Sequence, residues 1–172
     1  MLGSLVGVTS CMFVVTEAQA AGEFTVSPTT LSFPATYVGD TASLTVIVTN
    51  TSSSTLTPNF AGGAPNDSTN FGGSQNCAGL TFAPGDSCEF TYTFEPASTG
   101  SLSTSTTIAV DSDNFSISMS GSGLDPIGVS PTTLVFPDTL IGDTTSLDVV
   151  VTNISPVSQT PNYAGGAPRE RK

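Results

Sequence analysis

Residues 26–65 read VSPTTLSFPATYVGDTASLTVIVTNTSSSTLTPNFAGGAP, and residues 129–168 repeat this stretch without a gap. The two copies are offset by 103 residues, and 27 of their 40 aligned positions are identical. A period of this length is typical of a whole domain, because solenoid repeats and propeller blades are shorter. The sequence therefore predicts one complete domain over residues 21–123, a linker over 124–128 and the first part of a second domain over 129–168.

Short alternating stretches follow one another throughout the first copy. Residues 42–50 place Leu44, Val46 and Val48 on one face and hydroxyl residues on the other, which predicts a half-buried strand. In residues 88–94 the aromatic side chains share one face, and weaker alternation covers 101–110 and 115–119. A further strand is expected at 55–60, followed by a loop over 61–74. This succession of strands and turns predicts an all-β, antiparallel β-sandwich of the immunoglobulin-like class.

The charge of the chain is strongly one-sided. The net charge is −11, the chain has no His, and its three basic residues all lie in a tail over residues 169–172. An acidic protein repels phosphate backbones, so nucleic acid is not an expected partner. Without His or Lys in the predicted domains, the usual hydrolase triads cannot form.

The carboxylates of the chain do not replace the missing catalytic groups. Glu89 and Glu95 are separated by roughly 20 Å along an extended strand, too far for a glycosidase pair. Asp111, Asp113 and Asp125 fall in turn or linker sequences, and the DSDN motif lacks the glycine and closing glutamate of a calcium loop. We therefore predict no catalytic, cofactor or metal residues, and no enzyme.

The N-terminus has the pattern of an export signal. Residues 2–15 are apolar and uncharged, and Ala18, Gln19 and Ala20 form an Ala-x-Ala cleavage motif. We predict a signal peptide over residues 1–20, cleavage between Ala20 and Ala21, and a secreted or cell-surface protein. The apolar run is shorter than the ~20 residues that span a bilayer, so no transmembrane span is expected in the mature chain. Cys11, which ends the sequence VTSC, leaves a lipoprotein cleavage site as the alternative.

Two cysteines, Cys77 and Cys88, remain after cleavage. In an oxidising compartment an even number of cysteines favours a disulfide. Closing so short a loop stabilises a fold by about 3 kcal/mol in the chain-entropy model. Two thiols without nearby His cannot complete a zinc site, and their spacing is not that of a redox dithiol.

The order of these motifs also carries a family resemblance. VSPTTLSFP, YVGDTASLTVIVTN, APGDSC, FTYTFEPASTG and ISMSGSG follow one another along residues 24–123. This frame resembles the immunoglobulin-like module of hydin and abnormal-spindle (ASH-like) proteins, and in particular the bacterial surface proteins called choice-of-anchor D. The resemblance implies a seven-stranded sandwich used in tandem in long extracellular proteins.

Together these observations predict a non-catalytic structural or adhesion module that acts as a spacer or protein-interaction domain, within a longer tandem array. Its expected partners are other proteins or neighbouring repeats. Residues 129–168 contain only the equivalents of the first three strands of copy one, which cannot enclose a core. We therefore expect this segment to be frayed alone or to associate with a partner chain by strand exchange. A carbohydrate-binding accessory domain is the alternative, with Phe60, Phe71 and Tyr163 as its candidate aromatic residues.

Overall fold

The computed structural model describes residues 18–162, which divide into a first unit ending at Leu124 and a second unit starting at Asp125. Cys11 and most of the predicted signal peptide, Tyr163 and the basic tail lie outside the described residues. The strands are β1 Gln19–Ala21, β2 Phe24–Ser27, β3 Thr30–Ser32, β4 Thr36–Tyr37, β5 Ala42–Asn50, β6 Phe60–Gly62, β7 Phe71–Gln75, β8 Ser87–Phe94, β9 Gly100–Val110, β10 Asp113–Leu124, β11 Ile127–Ser130 and β12 Val150–Asn153.

The first unit is a sandwich of two sheets. Sheet A has the order β1-β2-β5-β8-β7, and sheet B has the order β3-β10-β9-β6, with β4 also paired to β10. Pro28 lies where the chain leaves β2 in sheet A for β3 in sheet B, and Pro34 separates β3 from β4 within sheet B. Because β3 and β4 then run alongside β10, their pairing is parallel. The immunoglobulin-like sandwich is thus confirmed, but sheet B is mixed, whereas an antiparallel fold was predicted.

Aromatic side chains fill the space between the two sheets. The rings of Phe71 and Phe94 lie 5.0 Å apart, and Phe33 lies 5.6 Å from Phe94. Phe24 meets Phe82 edge to face at 6.0 Å. The alternation predicted for residues 88–94 is confirmed, because the four alternate residues of β8 that start at Cys88 are all buried. Aromatic contacts of this kind add to the stability that burial alone provides.

Two segments differ from the sequence-based prediction. The strand expected over 55–60 is wrong: Leu56 forms only an isolated bridge with Phe82, and the strand starts at Phe60. The loop expected over 61–74 also contains β7, whose sequence FGGSQ has low intrinsic strand preference. Pairing with the long strand β8 holds this glycine-rich segment extended, an effect that local sequence does not reveal.

The connection between the two units is shorter than the predicted linker over 124–128. β10 continues to Leu124 and β11 begins at Ile127. The carboxylate of Asp125 accepts a hydrogen bond from the backbone N–H of Ile127 at 2.9 Å, so this side chain shapes the turn between the strands.

The second unit reproduces one strand pair of the first. β2 pairs with β5 from Phe24 opposite Asn50 to Ser27 opposite Ile47. β11 pairs with β12 at the four positions that lie 103 residues later. Three strands were expected for this copy, and within residues 125–162 the structure contains two. The repeated sequence therefore specifies the same hydrogen-bonding register twice.

Tyr92 gives a prediction about pH. Its side chain is fully buried, its hydroxyl has no hydrogen-bond partner in the described part of the chain, and burial raises the pKa of Tyr92 to about 12. Because the pKa of Tyr92 in the folded protein lies above its ordinary value of 10, the folded state holds the phenol proton more tightly than the unfolded chain does. The stability that results is fully present below pH 10 and is lost as the pH rises towards 12. Two pKa units correspond to roughly 3 kcal/mol.

We expect Tyr92→Phe to remove this alkaline loss. At pH 7 the variant should be as stable as the parent or more stable, by up to about 2 kcal/mol, because an unsatisfied buried hydroxyl is removed. Urea unfolding at pH 7 and pH 11 tests both points, with Tyr37→Phe as the control for a partly exposed tyrosine. If Tyr92→Phe lowered the free energy of unfolding by more than about 1 kcal/mol at pH 7, the Tyr92 hydroxyl would have to form a hydrogen bond, which would contradict the prediction.

Candidate protein-interaction site

A groove lies on the open side of the first unit, where β6 at the end of sheet B faces β7 at the end of sheet A. Its volume is about 130 Å³, and the buried ring of Phe90 forms its floor. The walls are backbone and small side chains: Gly62, Gly63, Ala64, Gly73, Ser74 and Gln75. Small-molecule pockets usually exceed about 300 Å³, so this groove is suited to contact with another backbone rather than to enclosure of a ligand.

Glycines are required on both walls of the groove. Gly63 has a φ of +86°, and a Cβ at this position would lie 2.6 Å from the Phe90 ring. On β7, a Cβ on Gly73 would lie 3.2 Å from the Tyr92 ring. Side chains at these positions would either strain the backbone or push the strands apart. The glycines of the sequences FAGGAP and FGGSQ therefore keep the groove between the two strand edges narrow.

The outer edge of β7 presents unpaired backbone groups. Glu95 N–H donates to the Asn70 carbonyl at 2.9 Å, and Asn76 N–H donates to the Glu89 carbonyl at 3.1 Å. Along an antiparallel strand, successive residues direct their backbone N–H and C=O groups to opposite sides. Because Asn70 and Asn76 bond to β8, Gly72 and Ser74 do so as well, and the backbone groups of Gly73 and Gln75 point away from β8. No other described strand pairs with this edge.

The edge also lacks the features that usually block strand addition. Between Phe71 and Gln75 there is no charge and no proline. Natural edges are commonly protected by charged residues, proline or bulges, and an unprotected edge is a template for another strand. The arrangement can therefore accept an extended segment of a partner by backbone pairing.

Acidic side chains lie beside one end of β7. A second depression of about 130 Å³ is lined by Asn70, Thr93 and Glu95 among others. Asp67 lies in the preceding turn, and the side-chain hydrogen bond from Asn70 at 2.8 Å lowers the pKa of Asp67. Because residues 18–162 contain no Lys or Arg, this negative charge is not neutralised within the described chain. A partner with a basic residue near this end is favoured.

The disulfide joins β8 to the segment that follows β7. Cys77 and Cys88 are bonded, their Cα atoms are 5.2 Å apart, and both side chains are buried. The side-chain amide oxygen of Gln75, Oε1, accepts hydrogen bonds from the backbone N–H groups of Cys77 and Ala78. The segment that ends the edge strand is thereby attached covalently to the neighbouring strand β8.

We expect the double replacement Cys77→Ala with Cys88→Ala to lower the free energy of unfolding by about 3 kcal/mol, since the unfolded chain is no longer constrained. Urea unfolding of the variant, of the oxidised parent and of the parent in reductant measures the change. The reduced parent should match the variant. Equal midpoints for all three samples would contradict a stabilising disulfide.

The two predicted sugar-binding aromatics that lie within the described residues do not form an exposed platform. Phe71 is buried in the core, and Phe60 packs against Phe82 and Phe90 at 5.9 and 6.2 Å. Tyr163 lies outside the described residues.

Asp111 accepts a hydrogen bond from the Asn59 backbone at 2.9 Å, so its carboxylate takes part in the turn between β9 and β10. Ala20 and Ala21 lie in β1, which pairs with β2, and cleavage between them stays a prediction.

Sequence reasoning missed the role of Asn50. This residue is fully buried, and its amide nitrogen donates to the carbonyls of Ser54 and Phe82 at 2.9 and 3.1 Å. Its amide oxygen accepts from the backbone and hydroxyl of Ser52. The signal was present in the repeat, because the motif TNxS recurs with Asn153, whose side chain forms the corresponding turn.

The fold and the open strand edges define a protein-interaction β-sandwich of the immunoglobulin-like class. Residues 19–118 match the family described as abnormal spindle-like microcephaly-associated, ASPM-SPD-2-Hydin, and the chain belongs to this ASH family. ASH domains are protein-interaction modules.

Solved structures with a similar fold come from diverse proteins. The ASH/PapD-like domain 7 of human CEP192 is 13% identical, with 67% of this chain and 96% of that chain covered and a TM-score of 0.48. A family 123 glycoside hydrolase from Clostridium perfringens is 12% identical, and the match covers 56% of this chain and 23% of that chain with a TM-score of 0.43. The VesB protease of Vibrio cholerae is 15% identical, and the match covers 59% of this chain and 31% of that chain with a TM-score of 0.40. None of the curated proteins matches the chain.

Proposed function

We propose that this protein is a secreted or cell-surface, non-catalytic structural and adhesion module that binds other proteins or neighbouring repeats. The observation that carries the proposal is the uncharged, unpaired edge of β7 beside a groove lined by backbone. The tandem copies support a place in a longer array, as does the resemblance to choice-of-anchor D surface proteins. Strand exchange through residues 129–168 is part of the same proposal.

Several features support an extracellular location. The disulfide requires an oxidising environment to persist. The Ala-x-Ala motif before Ala21 provides a cleavage site for export. Among residues 18–162 there is no helix that is long and apolar enough to cross a bilayer. N-terminal sequencing of the protein recovered from the medium or periplasm of an expressing bacterium should begin at Ala21, and retention of the intact leader in the cytosol would contradict export.

Binding at the β7 edge is tested with two variants of one residue. Gly73→Pro removes the backbone N–H that faces the free edge, whereas Gly73→Ala keeps this donor and adds a comparable Cβ, 3.2 Å from the Tyr92 ring. Biotinylated surface proteins of the producing cells serve as the ligand for the immobilised chain. We expect at least a tenfold loss of binding for Gly73→Pro and a smaller loss for Gly73→Ala.

Urea unfolding of both Gly73 variants establishes that they remain folded. As a second test, Ser74→Lys adds a charge at the edge strand, and Thr91→Lys adds the same charge on the neighbouring strand directly opposite Ser74. Only Ser74→Lys should weaken binding. Undiminished binding by both Gly73→Pro and Ser74→Lys would contradict an interface at β7.

The carbohydrate-binding alternative predicts a different pattern. Of its candidate residues within the described chain, Phe60 is partly exposed and Phe71 is buried. Sugar binding through stacked rings would therefore depend on Phe60. A glycan array that gives a signal abolished by Phe60→Ala, with no effect of Gly73→Pro, would favour this alternative.

A further inference from the structure

Two consecutive glycines, Gly72 and Gly73, lie within the edge strand β7. Because successive residues of a strand point to opposite faces of the sheet, each face lacks one side chain here. A Cβ on Gly73 would lie 3.2 Å from the ring of the buried Tyr92, on the inner face. A Cβ on Gly72 would lie 2.5 Å from the Thr93 hydroxyl, on the outer face. The edge strand is therefore open on both faces at adjacent positions.

The two openings differ in chemistry. The inner one is the groove between β6 and β7, which has a volume of about 130 Å³ and the buried ring of Phe90 as its floor. A cavity of roughly 150 Å³ holds a benzene molecule, so this groove has room for one aliphatic side chain. The outer opening is the depression lined by Asn70, Thr93 and the exposed Glu95. Asp67, whose carboxylate accepts a hydrogen bond from Asn70 at 2.8 Å, adds a second negative charge beside it.

A strand that pairs with β7 places one side chain in each opening. The backbone groups of Gly73 face the free edge, so the partner residue opposite Gly73 forms a hydrogen-bonded pair with it. Directly opposite residues have their side chains on the same face, and this partner side chain therefore enters the groove beside Phe90. The partner residue opposite Gly72 faces the outer depression. Its side chain passes over Gly72, which has none, towards Glu95.

The direction of the partner strand determines the order of these two side chains. Every pairing within sheet A is antiparallel. Antiparallel pairs are also slightly more stable per residue than parallel ones, so an added strand is expected to continue the pattern. In an antiparallel partner, the residue opposite Gly72 comes directly after the residue opposite Gly73.

We propose that the β7 edge binds an extended segment of another protein in which an aliphatic residue is followed directly by Lys or Arg. The inference rests on the proposed binding at β7 and adds the sequence that this edge recognises. The aliphatic side chain packs on Phe90, and the basic side chain pairs with Glu95. Two strand spacings amount to roughly 10 Å, a distance that the long side chains of Lys and Arg span together with the glutamate.

The repeats of this chain cannot supply such a segment. Residues 1–168 contain neither Lys nor Arg, so neither copy of the repeat has the basic residue. In the tail over residues 169–172, the only basic residue that follows an apolar one is Arg169, after Pro168. Proline has no N–H to donate to the Gly73 carbonyl, so this pair does not fit the edge. The occupant is therefore a different protein.

Selection of short random peptides displayed on phage tests the proposal without a choice of ligand in advance. The immobilised full chain is the target, and the Gly73→Pro variant, which lacks the N–H on the free edge, is the matched second target. We expect the peptides that bind the parent and not Gly73→Pro to be enriched in an aliphatic residue followed by Lys or Arg.

Two synthetic peptides test the order of the side chains. Both have threonines around a central pair, which is Val-Arg in one and Arg-Val in the other. Isothermal titration should give at least threefold tighter binding for Val-Arg, because in the reversed peptide a valine opposite Gly73 leaves the arginine opposite Ser74, away from Glu95.

Substitution of the carboxylate provides the corresponding test on the protein. Glu95→Gln should weaken the Val-Arg peptide by about threefold, the effect of one exposed ion pair, and should not affect the Arg-Val peptide. Glu89→Gln is the matched control, because Glu89 is also exposed on the outer face of β8 but lies beyond the other end of β7. It should change the binding of neither peptide.

The outcomes separate this proposal from binding at β7 in general. If the selected peptides require the Gly73 N–H but show no preference for an aliphatic residue before Lys or Arg, the proposal is wrong and binding at β7 stands. Equal binding of the two synthetic peptides has the same meaning. If no selected peptide distinguishes the parent from Gly73→Pro, binding at β7 is contradicted, and this proposal with it.

Discussion

Phe94→Ala is expected to lower the free energy of unfolding of the first unit by about 3–5 kcal/mol, the range found when a buried phenylalanine is truncated. Phe94 is fully buried at the end of β8, and its ring contacts Phe33 and Phe71. A Cβ on Gly121 of the opposite sheet would lie 2.5 Å from this ring, so sheet B packs directly against it. Truncation would leave a cavity that the rigid sheets cannot close.

The control for this change is Phe136→Ala. Phe136 aligns with Phe33 in the repeat, but it is 56% exposed in the second unit. Its truncation should change the unfolding free energy by less than about 1 kcal/mol. Urea unfolding followed by circular dichroism measures both variants, and similar small losses for the two would contradict the closed core described for the first unit.

Asn50→Asp is expected to destabilise the first unit by at least about 3 kcal/mol. The substitution replaces a donor that bonds the Ser54 and Phe82 carbonyls with a carboxylate oxygen that faces both. A buried charge without a partner is costly, and the two carbonyls lose their bonds as well. The chain offers no basic side chain between residues 18 and 162 to compensate.

Asn153→Asp is the matched control, since its amide makes the corresponding bond to the Val157 carbonyl at 2.7 Å but is exposed. We expect this change to cost less than about 1 kcal/mol. Urea unfolding at pH 7 compares the two substitutions directly. Equal losses of unfolding free energy for the two substitutions would mean that burial of Asn50 and its bond to the Phe82 carbonyl do not contribute to stability.

The sequence allowed much of the sandwich to be predicted because its longer strands carry their own period-two pattern. Residues 42–50 were predicted within the bounds of β5, and the aromatic face of residues 88–94 within β8. In each case the alternation of side chains reflects burial on one face, so local sequence is sufficient.

The candidate interaction site was not predictable in the same way. β7 is a strand because Gly72 and Gly73 lie against Thr93 and Tyr92, and a contact between distant residues leaves no local pattern. The parallel pairing of β3 with β10 likewise depends on how the two sheets are placed. For Asn50, the repeat held a signal in Asn153, but only the structure shows that Phe82 is its second acceptor.

If the free edge of β7 pairs with the backbone of a partner, the amides of Gly73 and Gln75 exchange more slowly in the bound state. The surface protein retained by the parent chain, and lost with Gly73→Pro, is added to the full-length protein. We expect slower exchange at Gly73 and Gln75, with no change at Gly72 and Ser74, whose amides already face β8. Unchanged exchange at Gly73 and Gln75 in the bound state, with protection elsewhere in the chain, would contradict it.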